Sequence, residues 1–220
     1  MKLTAFQYGK TEISQRMAFQ NGDMKTAIPI SLMFFLLEQG KRKMLIDVGC
    51  DTMPGFPLYE FEKPVNLLRK YGVIPDEITD VLITHSHHDH IGCLHYYKNA
   101  DIYIQEEAVE KAKKYLPTTE KLQTFKENTN ISDGIRMKHI GGHSVGSSIV
   151  LINAESDTYV LCGDECYTKE NLSENKPTGS SCCLEKSISF IQEYRKEGYK
   201  NILFHDPMLV GKLGYKTIIE

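Results

Sequence analysis

Residues 81–92, VLITHSHHDHIG, join an apolar run to four histidines and an aspartate. Residues two apart in an extended strand point the same way, so His85 and His87 can reach one metal ion together. If the chain turns into a helix near Asp89, that carboxylate and His90 face a neighbouring point from the other side. Imidazole and carboxylate groups are common ligands of divalent metals, so the segment predicts a site that two adjacent ions could share. A polar turn of solvated histidines is the alternative. Against it, the cluster directly follows a strand that is expected to be buried, and catalytic and binding residues are frequent at such strand-to-loop junctions.

A glycine-rich loop supplies a third candidate histidine. Gly141 and Gly142 allow the backbone to approach closely or to take positive φ, so the loop can aim His143 inward. His139 has no such loop and is interpreted as structural, and His95 as a surface residue.

Further ionisable residues stand where predicted strands end. Asp47 could hold an imidazole in one tautomer, or it could cap the loop that follows. Asp164 ends another predicted strand, and one carboxylate can bridge two cations. His205 again follows an apolar strand.

The periodicity of apolar residues predicts an α/β fold of two sheets packed together with helices outside, in one domain over residues 1–220. Strands are predicted at residues 2–9, 28–38, 43–48, 78–83, 101–104, 137–140, 148–153, 159–162 and 200–204, and helices at 64–71, 91–97, 106–115 and 184–196. Residues 14–26 are polar and irregular but contain Met17, Phe19 and Met24. They predict either a surface loop or a flap that lends an apolar wall to a substrate.

Composition narrows the class of protein. The chain has 220 residues and a net charge of -3, with no basic face that would favour a nucleic-acid partner. The N-terminus lacks a signal-peptide core, and the apolar run at 28–37 is too short to span a bilayer, so we expect a cytoplasmic protein without a membrane partner. The six cysteines are expected to be free thiols.

HxHxDH at residues 85–90, GGH ending at His143, GD ending at Asp164 and the strand-end His205 together resemble the metallo-β-lactamase superfamily. The resemblance implies an αββα sandwich of two mixed β-sheets flanked by helices. It implies two divalent metal ions, with Zn²⁺ preferred because the di-iron branch has an acid where His87 stands. The implied ligands are His85, His87 and His143 for one ion, Asp89, His90 and His205 for the other, and Asp164 as the bridge.

The run CYTKEN at residues 166–171, with Phe204-His205-Asp206 later, looks like the N-acyl homoserine lactonase branch, whose activity is quorum quenching. That likeness implies opening of a lactone ring by a hydroxide that bridges the two metal ions. Tyr167 would contact the substrate carbonyl and Asp89 would pass a proton to the leaving oxygen, which makes both catalytic. A packed core tyrosine is the alternative for Tyr167. Related lactonases are often dimers, so a homodimer is an open expectation.

The chain departs from that branch in three places. The branch usually has GHxPGH, where this chain has Val145 for the proline and Ser147 for the second histidine, and it often has an apolar residue where His88 stands. These changes keep the metal motif and bear on the acyl-chain pocket.

The sequence is compatible with other functions. One is a metal-dependent thioesterase of the hydroxyacylglutathione hydrolase type, although such enzymes usually carry a further C-terminal helical region. The other is a hydrolase for another small lactone. A non-catalytic zinc-stabilised domain is disfavoured because seven ligands for two ions leave positions open for water. A nuclease is disfavoured by the lack of a basic surface.

Overall fold

The computed structural model describes residues 1–116, 121–154 and 157–220, and within them the strands form two mixed sheets packed face to face. Three layers of buried apolar side chains lie across the molecule. One lies between the two sheets and includes Phe35 and Val150. The other two lie on the outer faces, where Leu68 and Phe190 come from flanking helices. This arrangement of helix, sheet, sheet and helix confirms the predicted fold class.

In the described residues the larger sheet has seven strands. They are β1 (Lys2–Ser14), β2 (Ala27–Gln39), β3 (Arg42–Ile46), β4 (Asp80–Leu82), β5 (Asp101–Gln105), β6 (Leu122–Phe125) and β12 (Gly214–Ile219). Their spatial order is β12-β1-β2-β3-β4-β5-β6, antiparallel from β12 to β3 and parallel from β3 to β6.

The smaller sheet has five strands in the same described ranges. They are β7 (Asn128–Ser132), β8 (Ile135–His139), β9 (Ser148–Ala154), β10 (Asp157–Leu161) and β11 (Tyr199–Ile202). Their order is β11-β10-β9-β8-β7, and only the β10–β11 pair among them is parallel.

Strand β2 lies at the centre of the fold because its apolar run is buried on both faces, as the sequence predicts. Met33 and Phe35 point into the layer between the sheets. Phe34 and Leu36 point to the opposite side, where helices cover the larger sheet. Two-sided burial fixes the register of β2, because a slip of one residue would exchange these two sets.

The described helices are short apart from two. They are α1 (Gln15–Ala18), α2 (Pro64–Tyr71), α3 (His88–Ile91), α4 (Val109–Ala112), α5 (Lys169–Ser173) and α6 (Leu184–Tyr194). The predicted bounds of α2 are confirmed: Pro64 begins the helix, and Gly72, with φ of 103°, ends it in the left-handed region.

Two predicted helices are wrong in extent. The sequence predicts a helix at 91–97, but α3 ends at Ile91 and a 3₁₀ turn follows at Leu94–Tyr96. The reason is that the Cys93 amide donates to the Gly49 carbonyl at 2.9 Å, so the chain leaves the helical hydrogen-bond pattern there. The helix predicted at 106–115 is a 3₁₀ turn followed by α4, and the strands β6, β7 and β12 were not predicted.

All six cysteines lie in the described ranges and are free thiols, as expected. Among the helices that the structure describes, none has the length and apolar character needed to cross a bilayer.

Phe35 should be a main contributor to the stability of the sandwich. Its ring packs edge-on against Phe204 with centroids 4.6 Å apart, and both side chains are fully buried. We expect Phe35→Ala to lower the free energy of unfolding by about 3–5 kcal/mol, the usual cost of emptying a buried phenylalanine site. Denaturant titration of the two proteins measures this difference.

Met24→Ala is the matched control, because Met24 is 79% exposed. It should change the free energy of unfolding by no more than about 0.5 kcal/mol. Equal effects of the two substitutions would contradict the assignment of Phe35 to the layer between the sheets.

Candidate metal centre

The structure brings all seven predicted ligands to one edge of the sandwich. Their potential ligand atoms fall into two groups, and within each group the atoms lie within 4.8 Å of one another. The two groups are His85, His87, His143 and Asp164, and Asp89, His90 and His205.

The segment after β4 supplies four of these side chains. The chain leaves the strand extended, which directs His85 and His87 to the same side. It then turns into α3, whose first turn contains Asp89 and whose next residue, His90, is buried. The change from strand to helix therefore places the four side chains around neighbouring points.

The other three side chains come from the smaller sheet. His143 lies in the loop between β8 and β9, Asp164 follows β10, and His205 follows β11. All three are buried. Because β10 and β11 are parallel, the residues that follow them emerge at the same edge of the sheet.

The carboxylate of Asp164 lies between the two groups. Its Oδ1 atom is 3.0 Å from Nε2 of His90 and 3.0 Å from Nε2 of His205. Its Oδ2 atom is 3.6 Å from Nε2 of His85 and 3.5 Å from Nε2 of His143. One oxygen therefore faces each group.

Hydrogen bonds fix the tautomers of two imidazoles. His205 donates from Nδ1 to the Ser31 carbonyl at 2.8 Å, and His90 donates from Nδ1 to Asp47 at 2.6 Å. In the neutral ring each Nε2 then carries a lone pair that points toward Asp164. Within the described residues the buried Nε2 of His90 has no hydrogen-bond partner, although Asp164 is close. Acceptors in such contact repel unless a cation lies among them, so this donor set fits a metal ion.

The first group converges in the same way. Nδ1 of His87 lies 3.0 Å from Nε2 of His85 and 2.9 Å from Nε2 of His143. Thr84 donates its hydroxyl hydrogen to Asp47 at 2.7 Å, so its oxygen accepts from Nδ1 of His85 at 3.1 Å. The Nε2 lone pair of His85 is thereby directed at the same point.

Asp47 holds both groups in place. It is fully buried at φ of 56° and accepts hydrogen bonds from the Thr84 amide at 2.8 Å, the Thr84 hydroxyl and His90. Burial raises the pKa of Asp47, and the neighbouring His90 opposes that rise. Of the two sequence interpretations, the structure favours orientation of an imidazole.

The site carries concentrated negative charge. Burial alone would raise the pKa of Asp164, but the surrounding imidazoles hold that pKa well below its ordinary value. Burial tends to lower the pKa of His90, yet the nearby carboxylates, Asp164 first, raise it well above normal. On the other side of Asp164, burial lowers the pKa of His143 to about 4. Positive charge is therefore stabilised at His90, on one side of Asp164. On the other side, His143 is a neutral imidazole, the form that binds metal ions.

Glu165 is a positioning residue that the sequence reasoning missed. It is fully buried, and its carboxylate accepts from the amides of Gly142 and His143 at 3.2 Å and from the Ser147 hydroxyl at 2.5 Å. Burial raises the pKa of Glu165, and these donors oppose the rise. Ser147, the departure from the GHxPGH pattern, therefore helps to hold the His143 loop. An acid directly after Asp164 was the available sequence signal.

A cavity of about 650 Å³ opens above the two groups. Its apolar wall consists of Ile13, Met17, Ile30, Met53, Pro54 and Phe56. Of the three apolar residues in segment 14–26, Met17 lies on this wall and Met24 is 79% exposed. The segment thus lends one apolar side chain to the cavity.

Tyr167 is buried and also lines the cavity. Its ring packs edge-on against His205 with centroids 5.0 Å apart, and its hydroxyl lies 2.9 Å from Oγ of Ser180. Burial, reinforced by the charge of Asp164, raises the pKa of Tyr167 well above its usual value. Tyr167 therefore keeps its proton and can donate a hydrogen bond into the cavity.

The remaining histidines have separate places. His88 donates from Nε2 to the Thr52 carbonyl at 2.9 Å, so its Nδ1 accepts from the Tyr115 hydroxyl at 3.1 Å, and this bridge forms part of the cavity wall. His139 donates to the Val145 carbonyl at 2.8 Å and steadies the His143 loop, as a structural residue would. His95 is exposed, as expected.

Known proteins resemble this chain in sequence. N-acyl homoserine lactonase AiiB of Agrobacterium fabrum is 23% identical over 169 residues, which cover 63% of this chain and 60% of the relative. An N-acyl homoserine lactonase of a Bacillus species is 28% identical over 145 residues, covering 62% of this chain and 58% of the relative. The chain therefore matches about 60% of the length of these curated relatives.

Solved structures share the fold across nearly the whole chain. A probable metal-dependent hydrolase from Staphylococcus aureus has a TM-score of 0.81 at 21% identity, covering 93% of this chain and 88% of its own. An N-acyl homoserine lactone hydrolase with N-hexanoyl-L-homoserine bound at its catalytic metal centre has a TM-score of 0.80 at 21% identity, covering 93% of both chains. Likeness at this identity supports the fold alone.

The family model described as the metallo-beta-lactamase superfamily matches residues 33–190, which is more than half of the chain. The matched region contains six of the seven converging side chains, and His205 follows it. By this match and by its two-sheet fold, the chain belongs to the metallo-beta-lactamase superfamily.

Proposed function

We propose that this protein is a metal-dependent hydrolase that opens the ring of an N-acyl homoserine lactone or a similar small lactone. The observation that carries the proposal is the convergence of seven potential ligand side chains beneath an apolar cavity that also contains Tyr167. The sequence relatives named N-acyl homoserine lactonases support the choice of substrate class.

We propose two divalent cations, with Zn²⁺ as the first candidate, as the cofactors. His85, His87 and His143 would hold one ion, Asp89, His90 and His205 the other, and Asp164 would contact both. Bound there, the ions would supply a nucleophilic water at neutral pH and polarise the ester carbonyl. The lone pairs that face Asp164 support this assignment.

The remaining chemistry is assigned to two residues. Tyr167 donates a hydrogen bond to the carbonyl oxygen of the lactone, and this bond strengthens as negative charge develops there. The water oxygen bonds to the carbonyl carbon, and the ring C–O bond breaks. Asp89, which lines the cavity with Oδ2 3.6 Å from Nε2 of His90, takes the proton that the attacking water releases and delivers it to the leaving ring oxygen. The apolar wall binds the acyl chain.

Further expectations about domain organisation, partners, location and oligomeric state belong to the same proposal. Residues 1–220 act as one domain, the partner is a small-molecule lactone or ester, and neither nucleic acid nor a membrane is required. The protein acts in the cytoplasm, and it forms a homodimer as related lactonases often do.

A substrate panel on protein of measured metal content tests the function. We expect hydrolysis of N-hexanoyl homoserine lactone to exceed that of an S-acyl glutathione, because Tyr167 and the apolar wall suit an acyl lactone. Chelation should abolish the activity, and added Zn²⁺ should restore it. Full lactone turnover in metal-free protein, or faster hydrolysis of the thioester, would contradict the proposal.

Tyr167→Phe should lower kcat/KM for the lactone by roughly 10- to 100-fold, because one hydrogen bond to developing charge is lost. Bound metal, measured by elemental analysis, should stay unchanged. The matched control is Tyr59→Phe, at a residue that is 48% exposed and outside the cavity lining. A Tyr167→Phe enzyme as active as this control would remove Tyr167 from the mechanism.

Asp47→Asn should weaken metal binding by about 10- to 100-fold, since the carboxylate that orients His90 becomes an amide. Competition with a chromophoric chelator measures the affinity. Asp133→Asn is the control, because Asp133 is exposed on the turn between β7 and β8. Unchanged affinity in a folded Asp47→Asn protein would show that His90 needs no such support.

A further inference from the structure

Ser180 lies at a junction between two residues of the proposed site. Its Oγ atom is 2.9 Å from the hydroxyl of Tyr167 and 3.4 Å from Nδ1 of His143. It also lines the cavity. The sequence patterns gave Ser180 no role.

The backbone of Ser180 is held firmly. The amides of Gly179 and Ser180 both donate to the Met17 carbonyl, at 3.0 and 3.2 Å. Gly179 packs so closely on the 14–26 segment that a Cβ atom there would lie 1.7 Å from the Arg16 carbonyl oxygen. Ser180 is therefore placed by the same contacts that place Met17 on the cavity wall.

The donors and acceptors at this junction can be counted. If Nε2 of His143 binds a metal ion, its Nδ1 carries the proton and donates to Ser180. The Ser180 hydroxyl can then donate its own hydrogen. Within the described residues, its other side-chain partner is Tyr167. When Ser180 donates to Tyr167, Nδ1 of His143 and the Ser180 hydroxyl both have partners, and the phenol hydrogen of Tyr167 is free for the substrate. The reverse direction would occupy that hydrogen and leave the serine hydrogen unused.

We propose that Ser180 is a positioning residue, which accepts from His143, donates to Tyr167 and thereby turns the Tyr167 hydroxyl hydrogen toward the cavity. This inference rests on the proposed function for its catalytic consequence, but the hydrogen bond itself can be tested without turnover.

The first test observes the hydrogen bond directly. Zinc-loaded protein labelled with 13C at the tyrosine ζ carbon gives one resonance that disappears in Tyr167→Phe and so identifies Tyr167. We expect Ser180→Ala to shift this resonance, because the phenol oxygen loses its donor. Ser181→Ala, the same change one residue along, should leave it in place, since the Ser181 hydroxyl contacts Thr178 and Ser187. Identical Tyr167 resonances in all three proteins would overturn the proposal.

The second test is a double-mutant cycle on lactone hydrolysis. Ser180→Ala should lower kcat by about tenfold, the value of one hydrogen bond to a charged transition state, and change KM little. In the Tyr167→Phe background the same substitution should cost less than about twofold, because no phenol remains to be oriented. Ser180→Thr, which keeps the hydroxyl, should restore most of the loss.

The outcomes separate the two proposals. Equal losses from Ser180→Ala in both backgrounds would show a role independent of Tyr167 and overturn the inference. An inactive wild-type protein would refute the lactonase proposal, while the Tyr167 resonance would still decide whether Ser180 and Tyr167 are hydrogen-bonded.

Discussion

The carboxylate of Asp164 faces the Nε2 atoms of four imidazoles, and the rest of the site depends on how that contact is balanced. His90 and His205 each commit Nδ1 to another acceptor, so in the neutral rings two Nε2 lone pairs lie 3.0 Å from the same carboxylate oxygen. Such a cluster of acceptors is stable only with positive charge among them, as a proton or a metal ion. Burial of the cluster makes that requirement stronger because water cannot screen the repulsion.

The two packed sheets form the frame around this cluster. Strand β2 is buried on both faces and joins the layer between the sheets to the layer beneath the helices. The two sheets bring chain segments that are far apart in sequence to one edge, so that Asp164 and His205 meet the segment after β4. Hydrogen bonds to the carboxylates of Asp47 and Glu165 then fix the imidazole and the loop that carry the ligand atoms. Ligand geometry is thus set by groups that need not touch a metal ion.

Local patterns predicted the parts of the structure that local physics decides. Helix α2 was predicted with its bounds because proline and glycine mark its two ends, and β2 was recognised by its unbroken apolar run. The end of helix α3 at Ile91 could not be predicted from local sequence. The Cys93 amide, just after the helix, donates its hydrogen bond to the carbonyl of Gly49, more than forty residues away. The polar strand β7 lies at a sheet edge and carries little apolar periodicity. Ser180 resembles any loop serine until the fold brings Tyr167 beside it.

The central claim is that two cations lie on either side of Asp164, one next to each carboxylate oxygen. Anomalous diffraction from crystals of the zinc-loaded protein, collected above and below the zinc absorption edge, tests it most directly. The account predicts two anomalous peaks, one among His85, His87 and His143 and the other beside His90 and His205. A single peak, or peaks that leave Asp164 outside the space between them, would contradict it.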